Sequence, residues 1–329
     1  MSGRGAWRRW AEAWIALWDR REPANALAAV RIGVALVLLY DYAVVWQLDL
    51  IEPLWARPPD GYAIGGDGRW AARWLGTGAG SAFTLWAISM IALVAVATGT
   101  LTRVACVVVV LVSAHLAHRA PDTDRGIDGL LRVVLCVLAL SRSHAVWSVD
   151  ALVRRRIGRP MPAEIPAWPR YLLFAQLIWV YFSGGHNKTG EEWGPLGGFT
   201  ALANALSDPH FARFDPGWLG PIYPLTRVAT AATMLFELGA PLMLLFTYYA
   251  ATPDRPGRLR GWCNRLRLRW LWIGLGVSFH LGIALTMRLG IFPAGMLALY
   301  PVLLLPGELE GLRDRLRDRL RDRRARGRS

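Results

Sequence analysis

The stretch ALAAVRIGVALVLLYDYAVVW, running from Ala26 to Trp46, decides what kind of molecule this is. It is apolar save for Arg31 and Asp41. As a helix rising 1.5 Å per residue it reaches about 30 Å, the thickness of a bilayer's hydrocarbon core. A segment of that length and composition reads as a membrane-spanning helix. Working outward, further apolar runs occur at Ser81 to Gly99, Val104 to His118, Asp128 to Leu140, Trp168 to Ser183, Leu225 to Tyr249, Trp270 to Met287 and Ile291 to Leu305. Together they predict an all-α, polytopic transmembrane helical bundle of about eight spans with amphipathic helices at both termini. The fourth and the last run are short. Asp128 to Leu140 covers only about 20 Å as a helix, so it must extend into its flanks, thin the bilayer or lie shielded by neighbours.

Composition agrees with this reading. The chain is 54% hydrophobic yet carries a formal net charge of +14, with a mean hydropathy of +0.28. Apolar and basic residues must therefore be segregated, and they are: short arginine-rich segments alternate with the apolar runs. The arginines are spread over several loops with no recognition motif among them, which argues against a nucleic-acid partner. Cys106 and Cys136 sit in apolar runs and Cys263 in a basic loop, a pattern that implies neither a disulfide framework nor a metal site. Met1 to Pro23 mixes charges with tryptophans and lacks a cleavable signal pattern, so the first span is expected to act as the insertion signal.

Arginine placement sets the expected orientation. The N-terminal segment, Arg103, the loop holding Arg154, Arg155, Arg156 and Arg159, the stretch Arg255 to Arg269 and the tail fall on one side if every span crosses once. By the positive-inside rule that side is the cytoplasm of a cell-membrane protein, and both termini lie there. The expected division is residues 1–24 as an interfacial amphipathic helix, 25–305 as the transmembrane domain and 306–329 as an arginine-rich cytoplasmic tail. Trp7, Trp10, Trp14 and Trp18 repeat at helical spacing, as expected for a helix in the membrane headgroup layer, and Leu309, Leu312, Leu316 and Leu320 make a narrower stripe that either lies on anionic lipid or belongs to a solvated helix.

Ionisable groups inside or just beside spans are costly and point to a cavity, a partner or the bundle interior. Here they are Arg31, Asp41, Asp128, Arg132, Lys188, Glu237 and His280. Interhelical pairs such as Asp41 or Asp128 with Arg132 are one reading; a shared pocket holding Asp41, Asp128, Lys188, Glu237 and His280 is the other. Lys188 is the only lysine in the chain. Lysine can give up its proton on burial whereas guanidinium stays charged, so a lone lysine beside an apolar run is a candidate base or nucleophile. As a mere ion-pair member it would face Glu191, Glu192 or Asp128.

The segment Tyr181-Phe182-Ser183-Gly184-Gly185-His186-Asn187-Lys188, followed by Trp193, resembles the segment of vitamin K-dependent gamma-carboxylases and of the wider horizontally transferred transmembrane (HTTM) family that places a lysine at the outer end of a membrane helix. Arg31 and Asp41, Gly126 and Asp128, Trp147-Ser148-Val149-Asp150, Glu237 within Leu235-Phe236-Glu237-Leu238, and His280 after Phe279 resemble the family in the same order. The resemblance covers roughly residues 25 to 305 and makes 25–305 an HTTM-like domain. It implies a carboxylase-like membrane enzyme in which Lys188 deprotonates a quinol, reduced vitamin K in the carboxylase itself. On this reading Lys188, His280 and Glu237 are catalytic, Asp41, Asp128, Tyr181 and Trp193 bind a quinol-like or lipid-like substrate, and no metal takes part. The alternatives are a non-catalytic lipid- or quinone-binding or partner-docking protein, and a transporter.

Overall fold

The computed structural model describes residues 3–64, 74 and 76–326. It is all-α apart from one two-stranded ribbon, and the chain divides into two compact units, residues 1–173 with 306–329 and residues 174–305.

In the first unit the core is a bundle of α2 (Asn25–Gln47), α4 (Ala79–Thr98), α5 (Thr102–Arg119) and α6 (Gly126–Leu140), with α3 (Ile51–Trp55) lying against α4. Helix α2 matches the opening stretch almost residue for residue, because nothing within it breaks a helix. The short α6 keeps its place by packing against α5 and α2, burying Leu131, Val134, Leu135 and Leu138. The unit is closed by polar joints. Arg31, fully buried, donates to the carbonyls of Ser143 and Trp147 at 3.3 and 2.6 Å. Gly99, at φ 73°, backs onto Arg31 and Ser148 with no room for a side chain. Ser148 caps α7 (Val149–Arg156) by accepting from the Ala151 amide at 2.9 Å, and Asp150 accepts from the Leu101 and Thr102 amides where α5 begins. The Trp147–Asp150 motif is thus a structural buckle.

Strand β1 (Arg21–Pro23) pairs antiparallel with β2 (Glu164–Pro166), Glu22 lying opposite Ile165. Glu22 is buried and takes two hydrogen bonds from Arg170, at 2.6 and 2.7 Å, on the first turn of α8 (Trp168–His186). Helix α1 (Gly3–Trp18) exposes Trp7, Trp14, Ile15 and Trp18, as the tryptophan spacing predicts; the Trp10 side chain lies outside the described residues. Helix α15 (Glu308–Arg326) touches α2, where Asn25 bonds Glu310, and the Leu316 and Leu320 side chains of its expected stripe also lie outside the described residues.

The second unit contains the remainder of α8, then α9 (Ala201–Ser207), α10 (Leu219–Leu238), α11 (Leu242–Ala251), α12 (Arg258–Arg265), α13 (Leu268–Thr286), α14 (Phe292–Ala298) and a 3-10 turn at Tyr300–Leu303. Helices α10 and α13 pack on each other and α14 folds back against α13.

By length and composition, four helices are suited to crossing a membrane, α2, α4, α5 and α13. Two bent pairs raise the number to six among the described residues, below the eight read from the sequence. Leu225 to Tyr249 is not one straight span but bends by 66° where Gly239 to Pro241 interrupt it. Helix α6 has only 15 residues, and α8 carries Arg170 and Gln176 among its apolar residues.

Candidate functional site

A glycine sets up the lysine. At the end of α8 a side chain on Gly185 would lie 2.9 Å from the Glu237 Cβ and 3.1 Å from the Leu238 amide, so only glycine lets α8 approach the end of α10 this closely. The approach brings Lys188 Nζ to 2.5 Å from Glu237 Oε2, with the Gly184 carbonyl at 3.4 Å and the Trp193 ring centroid at 5.0 Å. Glu237 is the partner, in place of Glu191, Glu192 or Asp128. The carboxylate is 7% exposed and the lysine 22%, so the pair is largely desolvated while the ammonium keeps an open side. A single strong hydrogen bond between a basic amine and a carboxylate permits a proton to move between them.

About two helical turns before Lys188, the Tyr181 hydroxyl lies 2.7 Å from His280 Nε2 and 2.8 Å from the Tyr300 hydroxyl, all three side chains buried. Tyr181 is held edge-on by Phe236 and Trp272, whose rings stack at 4.5 Å. Gly276 on α13 makes the space: a Cβ there would clash with the Tyr300 hydroxyl and lie 2.8 Å from the Phe236 ring. Among the described residues His280 Nδ1 has no hydrogen-bond partner. Tyr300, Trp272 and Phe236 were not singled out from sequence. Their only signal was aromatic residues in apolar runs, which core packing alone explains.

Phe236 also lines an apolar cavity of about 440 Å³ between α9, α10 and α13. Its threonines do not make it polar. Thr226, Thr233 and Thr286 each donate to a carbonyl of their own helix, at 2.7, 2.9 and 2.7 Å, so their hydroxyl protons are already engaged.

Asp41 and Asp128 meet in the first unit, joined by a residue the sequence reading passed over. Arg125 donates to both oxygens of Asp41 at 3.1 and 2.6 Å, and to both of Asp128 at 2.8 and 2.9 Å. Burial works against its charge, but the hydrogen bonds to Asp128 and then Asp41 outweigh that and hold its pKa above the usual arginine range. Arg132 does not serve Asp41 or Asp128; it grips Asp124 with two bonds of 2.8 and 2.6 Å. The expected residues therefore gather in two sets, Asp41 with Asp128 in the first unit and Lys188, Trp193, Glu237, Tyr181 and His280 in the second. No group of three or more His, Cys, Asp or Glu able to hold a metal occurs among the described residues.

Residues 19–251 match the HTTM domain. The chain belongs to the HTTM family. No curated protein and no solved structure matches it. The HTTM match contains Lys188, Trp193, Glu237 and Tyr181 as well as Asp41, Asp128 and Arg125, whereas His280 and Tyr300 come from the sequence that follows it. This HTTM protein is thus a multi-pass membrane protein whose one lysine is paired with a buried carboxylate on a neighbouring helix.

Proposed function

We propose that this HTTM protein is a membrane enzyme in which Lys188 acts as a base on an amphipathic substrate, quinol-like or lipid-like, as in the carboxylases its sequence resembles. The observation that carries the reading is the Lys188–Glu237 hydrogen bond of 2.5 Å, made by a lysine with one open face. Transfer of the ammonium proton to Glu237 leaves a neutral amine, which takes a proton from a substrate hydroxyl; the substrate anion then sits beside the restored ammonium. The Trp193 ring covers part of the amine and provides a flat surface for an aromatic head. A quinol fits these residues, needing a base at its hydroxyl and apolar room for its tail. Bound there, it would supply the acidic hydroxyl and the redox chemistry, while Tyr181 and His280 hold the wall behind Glu237 through Phe236. The cavity of about 440 Å³ accepts the tail without polar contacts.

Lys188→Arg tests the base role. Arginine keeps the charge and the reach but cannot be deprotonated, so the variant should insert and fold while a host phenotype that depends on the gene is lost. Full function with arginine, and none with Lys188→Ala, would eliminate the base. A second reading, binding or transport without chemistry, draws support from the 66° break between α10 and α11 directly after Glu237, since interrupted helices line binding sites in many transporters. It predicts that arginine serves as well as lysine. The partners on either reading are membrane lipid and a quinone or other amphipathic molecule, with no nucleic acid. The arginine asymmetry supports a cell-membrane location with both termini in the cytoplasm. Cysteines replacing Asp60, Asp122 and Asp208 should then react with an impermeant reagent from outside, and one replacing Arg156 should not.

A further inference from the structure

The first unit contains a cavity of its own, of about 170 Å³, between α2, α3, α5 and α6. Its depth is apolar, with Leu38, Leu131 and Leu135 in the wall. Its rim carries three carboxylates, Asp41, Asp124 and Asp128, against two guanidiniums, Arg125 and Arg132. The guanidiniums are occupied: Arg125 spans Asp41 and Asp128, and Arg132 holds both oxygens of Asp124. One negative charge is left over in a partly desolvated rim, where an uncompensated charge is costly. A second feature faces the same space. Tyr42 and Trp55, both nearly buried, line the cavity with ring centroids 5.7 Å apart.

We infer that this cavity is a binding site for the ammonium group of an organic cation, a quaternary or primary amine carrying a short apolar body. Three observations select that chemistry. The excess charge calls for a cation. The carboxylates are spread around the arginines and do not form a metal-holding group, and the leucine wall offers no oxygen ligands, so a bare metal ion is poorly served. The aromatic pair lines the same space, and aromatic rings attract methylated or primary ammonium groups and disfavour anions. The ammonium belongs near the rim between Asp41, Asp124 and the rings, with its carbon substituents toward Leu38 and Leu131. The same chemistry is offered by a soluble amine and by the headgroup of an ethanolamine or choline phospholipid. This site rests on residues of the first unit alone, so its failure would leave the lysine reading untouched.

Calorimetry on the full chain, held in nanodiscs of phosphatidylglycerol only, tests it with choline and tetramethylammonium. Saturable binding is expected, weakened about tenfold when choline is replaced by its uncharged carbon isostere, dimethylbutanol. Asp124→Asn should also weaken choline binding about tenfold by removing the excess charge. Should Asp124→Asn fail to fold, Trp55→Leu leaves every ion pair in place and should weaken choline binding more than dimethylbutanol binding. In a second arm, native mass spectrometry of protein taken from ethanolamine- or choline-phospholipid membranes reads retained lipid. One such lipid, displaced by choline and lost in Trp55→Leu, assigns the headgroup as the source; soluble binding alone assigns a free amine. Equal affinity for choline and dimethylbutanol, or no ammonium bound in either arm by a protein of unchanged Tm, would overturn the proposal.

Discussion

Two charged clusters in this protein use different cations for different ends. In the first unit Arg125 and Arg132 each meet carboxylates with two parallel bonds, and Arg125 serves two aspartates at once. In the second unit the lone lysine meets one carboxylate oxygen and keeps a free side. A planar guanidinium fork fixes orientation and never loses its proton, whereas a lysine ammonium is a point charge that can. The difference teaches that charge within a membrane domain is not one signal. Saturated arginine networks hold elements in register, and a lysine that meets a single carboxylate oxygen and keeps an open side is where a proton can move. Stability and function should therefore respond in opposite orders to substitution.

The largest loss of stability should come from the most buried of the arginine pairs. Glu22 and Arg170 are both almost inaccessible and tie β1 to the start of α8. Glu22→Ala leaves a buried guanidinium without its carboxylate and should cost about 3–5 kcal/mol. Thermal unfolding in detergent, followed by loss of helical signal, measures it. A loss no greater than that of an exposed pair would mean that the burial does not matter.

Next comes the rim of the first unit. Arg125→Lys keeps a positive charge but cannot bond Asp41 and Asp128 together as a fork does, and should cost about 1–3 kcal/mol. The mirror substitution, Lys188→Arg, should cost less than about 1 kcal/mol, because arginine supplies more donors to Glu237, yet it should abolish function. If Lys188→Arg stays functional while Arg125→Lys is unstable, both clusters are architectural and the contrast is erased.

How far this contrast was legible beforehand depends on distance along the chain. The first span could be read because nearly every residue of it is apolar in one continuous window, and α2 follows it closely. The lone lysine and Glu237 could be flagged because each is unusual for its own neighbourhood. Their pairing could not be read, since it joins positions 49 residues apart through a glycine, Gly185, whose purpose appears only when α8 meets α10. Arg125 looked like one more loop arginine; its role depends on Asp41, 84 residues away. Tyr300 joins Tyr181 across 119 residues, and nothing in a tyrosine beside a proline announces that. The broken span after Glu237 was hidden because Gly239 to Pro241 sit inside an apolar run, where hydropathy averages over the bend.

The smallest effect belongs to an exposed pair, and it sets the floor for the others. Asp208 accepts from the backbone amide of His210 at 2.8 Å, with the imidazole Nδ1 3.1 Å from the same oxygen. The amide first and the imidazole second hold the carboxyl below its usual pKa. A depressed carboxylate pKa stabilises the fold above the unfolded value, about 3.9, and that contribution disappears as pH falls through the lower folded value. Since the group is open to solvent, its contribution is small. Asparagine keeps an oxygen that can accept the same amide hydrogen in the same turn. Asp208→Asn should thus shift Tm by no more than about 1 °C at neutral pH, and the wild-type and variant curves should stay parallel down to about pH 5 and converge in stronger acid. A wild-type advantage that widens as the solution is acidified has the opposite sign and would show that Asp208 gains stability on protonation, contrary to the hydrogen bonds it accepts.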